Sequence, residues 1–161
     1  MRKELTTYGE EETRREGRML AEELPGDALV AFSGDLGTGK TAFIRGMCDA
    51  FGCAAQVSSP SFTIINEYRG TREVAHCDLY RLETVNEMLA IGLDDLFASA
   101  RTVLVEWAER ALPLLPLPRY EIAARHGAEH DQRHIVIQRI ERPDESSILF
   151  APAELTFRRT P

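Results

Sequence analysis

The chain has 161 residues (18.1 kDa), with 19 basic against 26 acidic side chains and a formal net charge of -7. That length suits one domain, and 43% hydrophobic with 28% charged residues excludes a chain disordered throughout. No apolar run approaches the roughly 20 residues of a membrane span, no secretory signal follows Met1-Arg2-Lys3-Glu4, and the acidic balance argues against a free-standing nucleic-acid binder.

The first periodic segment covers residues 13–24, with Met19, Leu20 and Leu24 on one helical face. Thr13-Arg14-Arg15-Glu16 fits a T-x-x-E capping box, so a helix is expected to open at Thr13. Turn chemistry ends it at Leu24-Pro25-Gly26-Asp27. Ala28-Leu29-Val30-Ala31-Phe32 is a short unbroken apolar run, as expected of a central strand buried on both faces. A glycine-rich loop over 34–39 leads into a helix from Lys40 that stops at Gly52. Extended stretches over 62–68 and 73–78, separated by Arg69-Gly70-Thr71, predict a hairpin. A second capping box, Thr84-Val85-Asn86-Glu87, opens a helical segment punctuated by Gly92. Thr102-Val103-Leu104-Val105 is a second buried strand, ending at Glu106-Trp107. The prolines of Leu112-Pro113-Leu114-Leu115-Pro116-Leu117-Pro118 predict a connection, neither helix nor central strand. Residues 120–124 and 134–140 form a second strand pair turning near Gly127, and the last dozen residues carry no pattern. The cysteines Cys48, Cys53 and Cys77 are an odd set without C-x-x-C spacing, read as reduced thiols of a cytoplasmic protein.

The sharpest signal is Gly34-Asp35-Leu36-Gly37-Thr38-Gly39-Lys40-Thr41, a full G-x-x-x-x-G-K-[ST] phosphate-binding loop. Its glycines let backbone N–H groups wrap phosphate oxygens, and the following helix adds its positive end. Lys40 supplies a point charge for the β- and γ-phosphates, and the Thr41 hydroxyl suits Mg²⁺. Arginine provides 17 of the 19 positive charges, so a lysine at this position is notable: the loop wants a compact ammonium. Such a loop needs an acidic partner at a strand end. Val103-Leu104-Val105-Glu106 fits the Walker B pattern, and Val74-Ala75-His76-Cys77-Asp78 also ends in a carboxylate. Either can hold the metal while the other orients the attacking water. Arg45, Arg81 and Arg110 are each able to serve as a charge-stabilising finger, and residue type alone nominates none. His126, His130 and His134 recur every four residues, but Gly127 and the strand pattern speak against a helix that would align them.

Together with Ser59-Pro60-Ser61-Phe62, His76-Cys77-Asp78-Leu79-Tyr80-Arg81 and Leu104-Val105-Glu106-Trp107, the loop falls in the order and approximate spacing of one family. From about residue 13 to about residue 133 the chain resembles TsaE (YjeE), the small bacterial P-loop ATPases of tRNA threonylcarbamoyladenosine biosynthesis. The resemblance implies an α/β, P-loop NTPase-like three-layer sandwich, with a mainly parallel central sheet plus antiparallel hairpin strands, in a single domain over 1–161. It also implies a weak Mg²⁺-dependent ATPase serving a TsaB–TsaD pair that modifies the adenosine adjacent to the anticodon, the tRNA being held by those partners.

Carried over by position, Gly37, Thr38, Gly39, Lys40, Thr41 and Ala42 surround the phosphates. Lys40, Asp78 and Glu106 are catalytic, and Thr41, Glu106 and Asp78 attend Mg²⁺. Thr13 lies near the nucleotide in addition to capping, and Arg133 approaches from the second strand pair. Ser59, Ser61 and Thr63 belong to a switch loop beside the γ-phosphate, and Trp107 edges the site. Two positions depart from the family: Ser59-Pro60-Ser61 stands where S-P-T is common, and Glu109 would repel a triphosphate unless Arg110 or Mg²⁺ compensates. Two other readings compete, a P-loop small-molecule kinase and a nucleotide-gated binding module. Without an N-K-x-D motif a GTPase is disfavoured, and length together with the missing L-S-G-G-Q signature disfavours an ABC subunit.

Overall fold

The computed structural model describes residues 1–149. In chain order the elements are β1 (Arg2–Tyr8), α1 (Gly9–Glu23), β2 (Leu29–Ser33), α2 (Lys40–Ala50), β3 (Ile65–Arg69), β4 (Glu73–Asp78), α3 (Val85–Ala90), α4 (Leu93–Ala98), β5 (Thr102–Glu106), β6 (Arg119–His126) and β7 (Gln132–Ile140). Short 3₁₀ helices cover Ala54–Gln56 and Ala108–Leu114. All seven strands join one sheet in the order β1-β7-β6-β2-β5-β4-β3. The central four, β6, β2, β5 and β4, are parallel; β3 and β7 pair antiparallel with β4 and β6, and β1 pairs antiparallel with β7 at the edge. This is the expected α/β three-layer sandwich.

Burial explains the layers. Every residue of β2 and β5 is buried. Val30 and Phe32 join Phe43, Ile44 and Met47 of α2 on one face, while Leu29 and Ala31 join Met88, Leu93 and Ala111 on the other. Strands covered on both sides have no polar face to display, which is why they read as unbroken apolar runs.

Helices α1 and α2 touch backbone to backbone through two glycines. A Cβ on Gly17 would sit 2.1 Å from the Phe43 carbonyl oxygen, and one on Gly46 would sit 1.8 Å from that of Arg14. Beside this contact the Arg14 guanidinium donates to both oxygens of Asp49, at 2.5 and 2.7 Å.

Two expectations are corrected. Helix α1 opens at Gly9, one turn before Thr13, and Tyr8 is its N-cap without a side-chain cap. The reason lies far away in sequence: β1, which the local pattern did not reveal, pairs with β7 and delivers the chain directly into the helix. Thr13 therefore sits inside the helix, its hydroxyl donating to Gly9 O at 3.1 Å and meeting Thr7 Oγ1 at 2.7 Å. The buried stripe is Thr13, Gly17, Leu20 and Ala21, and Met19 faces solvent. The second box does form, with Thr84 accepting from Glu87 N and the Glu87 carboxylate accepting from Thr84 N. The other correction concerns Leu112-Pro113-Leu114, which end a 3₁₀ helix instead of lying wholly in a connection. Proline's fixed φ near -65° suits that geometry.

The hairpin is β3–β4, and β6–β7 is the second strand pair. The patternless last dozen residues lie outside the described part of the chain. Cys48, Cys53 and Cys77 are buried and unpaired, and burial pushes the Cys77 thiol up to about 12. No described helix is long and apolar enough to cross a membrane.

Candidate functional site

The phosphate-type loop spans the gap between the end of β2 and the start of α2. Gly34, Gly37 and Gly39 all have positive φ, and Gly39 caps α2 in the left-handed region at φ 93°. A side chain at Gly39 would also press on Thr13, whose Cγ2 lies 3.3 Å from where a Cβ would stand. Lys40 folds back onto its own loop, donating to Gly34 O at 2.5 Å and Asp35 O at 2.9 Å. Its ammonium lies 4.6 Å from the Trp107 ring centre. Burial lowers the Lys40 pKa, and Glu106, Glu109, Asp78 and Asp35 work against that shift. An ammonium held only by carbonyls and an aromatic face is able to trade them for a stronger anionic partner.

Two carboxylates stand beside it for a topological reason. Strands β4 and β5 are parallel neighbours whose register pairs Asp78 with Glu106, and the β2–β5 register pairs Phe32 with Glu106. The ends of these strands thus gather next to the loop after β2, where open α/β sheets place their ligands. Asp78 accepts from Ser61 Oγ at 3.1 Å and from Tyr80 N at 2.9 Å. Glu106 meets His76 Nε2 at 2.8 Å, and both residues are buried. Trp107 follows in the left-handed region, φ 57°, which carries its ring over Lys40.

A cavity of about 490 Å³ collects most of the predicted positions. Thr13, Gly37, Gly39, Lys40, Thr41, Ala42, Ser59, Ser61, Asp78, Glu106, Trp107 and Arg133 all line it. Two predicted residues do not. Thr38 is buried, its hydroxyl donating to Asp35 O at 2.8 Å, and exposed Thr63 donates to Asn66 Oδ1 at 2.6 Å. Arg133 donates through Nε to Gly37 O at 3.2 Å, clamping the loop from the start of β7. Of the three arginines weighed as fingers, Arg81 lines the cavity. Arg45 pairs with Glu10, and Arg110 donates to Leu82 O while its guanidinium lies over Tyr80.

Sequence reasoning assigned no site role to Gly9, Glu10, Tyr80, His130 and Asp131, and weighed Arg81 without nominating it; all six line the cavity. Tyr80 and Arg81 follow Asp78 in a motif already singled out, so their proximity was within reach. Gly9 and Asp131 meet only through the β1–β7 pairing, Gly9 N donating to Asp131 O at 2.9 Å, and no local signal marks them. His126 and His134 sit on β6 and β7, and the described residues contain no cluster of His, Cys, Asp or Glu able to hold a metal alone.

Two carboxylates and one hydroxyl, Asp78, Glu106 and Thr41, are hard oxygen donors but too few for a closed site. Mg²⁺ characteristically takes one or two carboxylates and completes its shell with water and substrate phosphates.

Residues 7–135 match the family model described as "Threonylcarbamoyl adenosine biosynthesis protein TsaE". The chain belongs to the TsaE family. A Bacillus subtilis protein named tRNA threonylcarbamoyladenosine biosynthesis protein TsaE is 40% identical over 131 residues, 80% of either chain. A Rickettsia bellii protein of the same name is 36% identical over 115 residues, 70% of this chain and 79% of its own. The fold matches the crystal structure of Bacillus subtilis YdiB with a TM-score of 0.70 at 30% identity, covering 85% of this chain and 84% of that one.

Within the TsaE frame, both departures can be placed. Ser61 keeps its hydroxyl on Asp78 and also meets Ser59 Oγ at 2.7 Å, so the loop stays tied to the carboxylate without the threonine methyl. Glu109 lies outside the cavity lining, behind Lys40. Its Oε2 is buried without a hydrogen-bond partner, and burial raises the pKa of its carboxyl, opposed by Lys40 and Arg110.

Proposed function

We propose that this chain binds ATP with Mg²⁺, hydrolyses it slowly, and so serves the threonylcarbamoyladenosine modification of tRNA beside TsaB- and TsaD-type partners that hold the RNA. One observation carries the reading: a phosphate-loop lysine and two strand-end carboxylates face the same cavity, which is lined by the loop backbone and a serine-bearing loop. The names of the relatives supply the pathway.

On this reading the loop N–H groups and the start of α2 receive the phosphates. Lys40 leaves the carbonyls of Gly34 and Asp35 and turns its ammonium to the γ-phosphate. Thr41 and one of the two carboxylates, Glu106 or Asp78, would hold Mg²⁺, which when bound would neutralise charge on the phosphates. The carboxylate not needed by the metal orients the attacking water. The 58–63 loop reports the γ-phosphate through Ser61 on Asp78. Phosphoryl transfer needs positioning and charge more than covalent help, so a small domain suffices. Slow turnover is expected because, of the arginines near the cavity, Arg133 and Arg110 donate to backbone carbonyls and Arg81 lies over the Phe62 ring, so none of the three is already poised at the phosphates.

The test is hydrolysis together with complementation. Purified chain with ATP and Mg²⁺ is expected to release phosphate, and cells that depend on this chain in place of their own TsaE should carry the modified adenosine in digested tRNA. Lys40→Ala should abolish both. Modified tRNA at wild-type yield with Lys40→Ala would sink the proposal.

A further inference from the structure

A buried chain of polar groups runs from the carboxylate Glu106 to the loop over 58–63, and nothing in the site as described uses it. Glu106 Oε1 meets His76 Nε2 at 2.8 Å. On the ring's other side, His76 Nδ1 meets the Tyr68 hydroxyl at 3.0 Å. That hydroxyl donates to Ser58 O at 2.9 Å and lies 3.4 Å from Ser58 N. His76 is 0% and Tyr68 3% exposed, so water does not compete for these contacts. The relay spans three strands, β5 to β4 to β3, and ends at the loop whose Ser59 and Ser61 line the cavity.

We infer that Tyr68 and His76 are positioning residues that couple the state of Glu106 to the 58–63 loop, so that the loop distinguishes ATP from ADP. Counting hydrogens shows why the chain couples its ends. A carboxylate and a peptide carbonyl only accept, a phenol carries one hydrogen, and a neutral imidazole carries one. Three links share two hydrogens when the ring carries one. When the ring donates to Glu106, the Tyr68 hydrogen has two acceptors in reach, His76 Nδ1 and Ser58 O, and can serve one well. A cation drawing Glu106 toward the cavity weakens its demand on His76, and the shared hydrogens shift toward the loop end. Buried networks of this kind are worth more than separate pairs because each bond polarises the next.

A second feature places the lever where the loop is stiff. Ile64 holds a left-handed φ of 68°, costly for a β-branched residue, and its N–H donates to Pro60 O at 2.6 Å while its carbonyl accepts from Asp78 N at 2.9 Å. The 58–63 loop is thus tied to the two strand-end carboxylates by separate routes, Pro60 through Ile64 to Asp78 and Ser58 through Tyr68 and His76 to Glu106.

The inference rests on the ATP-binding reading above, and the experiment separates the two. Affinities for ADP·Mg²⁺ and for a non-hydrolysable ATP analogue with Mg²⁺ are measured by calorimetry, with the fluorescence of Trp107, the sole tryptophan, as a second readout. Wild-type chain should bind both; failure to bind either overturns the ATP reading and this inference with it. Tyr68→Phe keeps the ring and removes the contested hydrogen. It should leave ADP affinity within twofold, reduce the preference for the ATP analogue by about three- to tenfold, as loss of one hydrogen bond predicts, and erase the fluorescence difference between the two complexes. His76→Gln, which retains a group able to donate to Glu106 but cuts the link to Tyr68, should do the same. The double variant should lose no more than either single one, since all three cut one chain. If instead both nucleotides weaken equally, or neither does, the residues merely pack and the inference fails. Should Tyr68→Phe not fold, His76→Gln decides alone by the same criterion.

Discussion

The two walls of the cavity are built from contacts of opposite kind. On one side Lys40, Asp78 and Glu106 come from the ends of neighbouring parallel strands and the loop that follows one of them. On the other, Gly9, Glu10 and Thr13 come from the first turns of α1, while His130 and Asp131 come from the β6–β7 turn and Arg133 from the start of β7, and the β1–β7 ladder brings the two groups together. The first wall is set by strand chemistry, the second by an antiparallel pairing between the two ends of the described chain. Where they join, α1 lies against α2 through Gly17, Gly46 and the Arg14–Asp49 pair. A ligand in this cavity therefore needs both the parallel core and the docking of α1.

The largest expected effect tests the first wall alone. Lys40→Ala removes an ammonium whose hydrogen bonds to phosphate are charge-assisted, about 1.5–3 kcal/mol each. ATP affinity by calorimetry should fall about a hundredfold or more. A loss under tenfold would mean that the second wall carries most of the binding. Gly46→Ala attacks the joint instead. The new methyl meets the Arg14 carbonyl, so α1 must move, at a cost of about 1–3 kcal/mol visible as a lower melting temperature. ATP affinity should fall with it although no residue of the first wall has changed. Unchanged affinity in a destabilised protein would uncouple the two walls.

The contrast also explains what could be read without coordinates. The first wall was legible because burial on both faces forces an unbroken apolar run, and a carboxylate ending such a run is conspicuous, as at Val103-Leu104-Val105-Glu106. The glycines and lysine of the loop are constrained by backbone geometry. The second wall was not legible: β1, Arg-Lys-Glu-Leu-Thr-Thr-Tyr, is an edge strand with most side chains exposed, so it carries no apolar pattern. Without β1 the start of α1 could not be placed, and Thr13 was assigned to a cap it does not make. Thr84 in the same T-x-x-E pattern does cap, because no neighbouring strand extends its helix backwards. Two identical local motifs were thus separated by one long-range ladder.

Paired substitutions turn that separation into a measurement. Thr13→Val keeps the shape but strips the hydroxyl, leaving the buried Thr7 Oγ1 without its 2.7 Å partner. Stability should drop by about 1–2 kcal/mol, and ATP affinity should fall several-fold because Thr13 touches the position of Gly39. Thr84→Ala should cost about 1 kcal/mol as a lost N-cap, with ATP affinity unchanged. Equal effects on affinity would erase the distinction between the two threonines.

The smallest effect concerns the ion pair at the joint, and pH reveals it. The Arg14 guanidinium, donating to both carboxylate oxygens, holds the Asp49 pKa below its ordinary value. A carboxylate with a depressed folded pKa adds stability above its unfolded pKa and loses that contribution as pH falls through the folded pKa. Asp49→Asn should therefore destabilise the protein at pH 7 by about 1 kcal/mol or less, since the pair is partly open to water. The difference from wild type should shrink steadily below about pH 4, the ordinary range of an aspartate. High salt at pH 7 should shrink it too, because exposed charge pairs are screened. A difference indifferent to both pH and salt would assign the contact to packing alone, and Gly17 and Gly46 would then hold the walls together without electrostatic help.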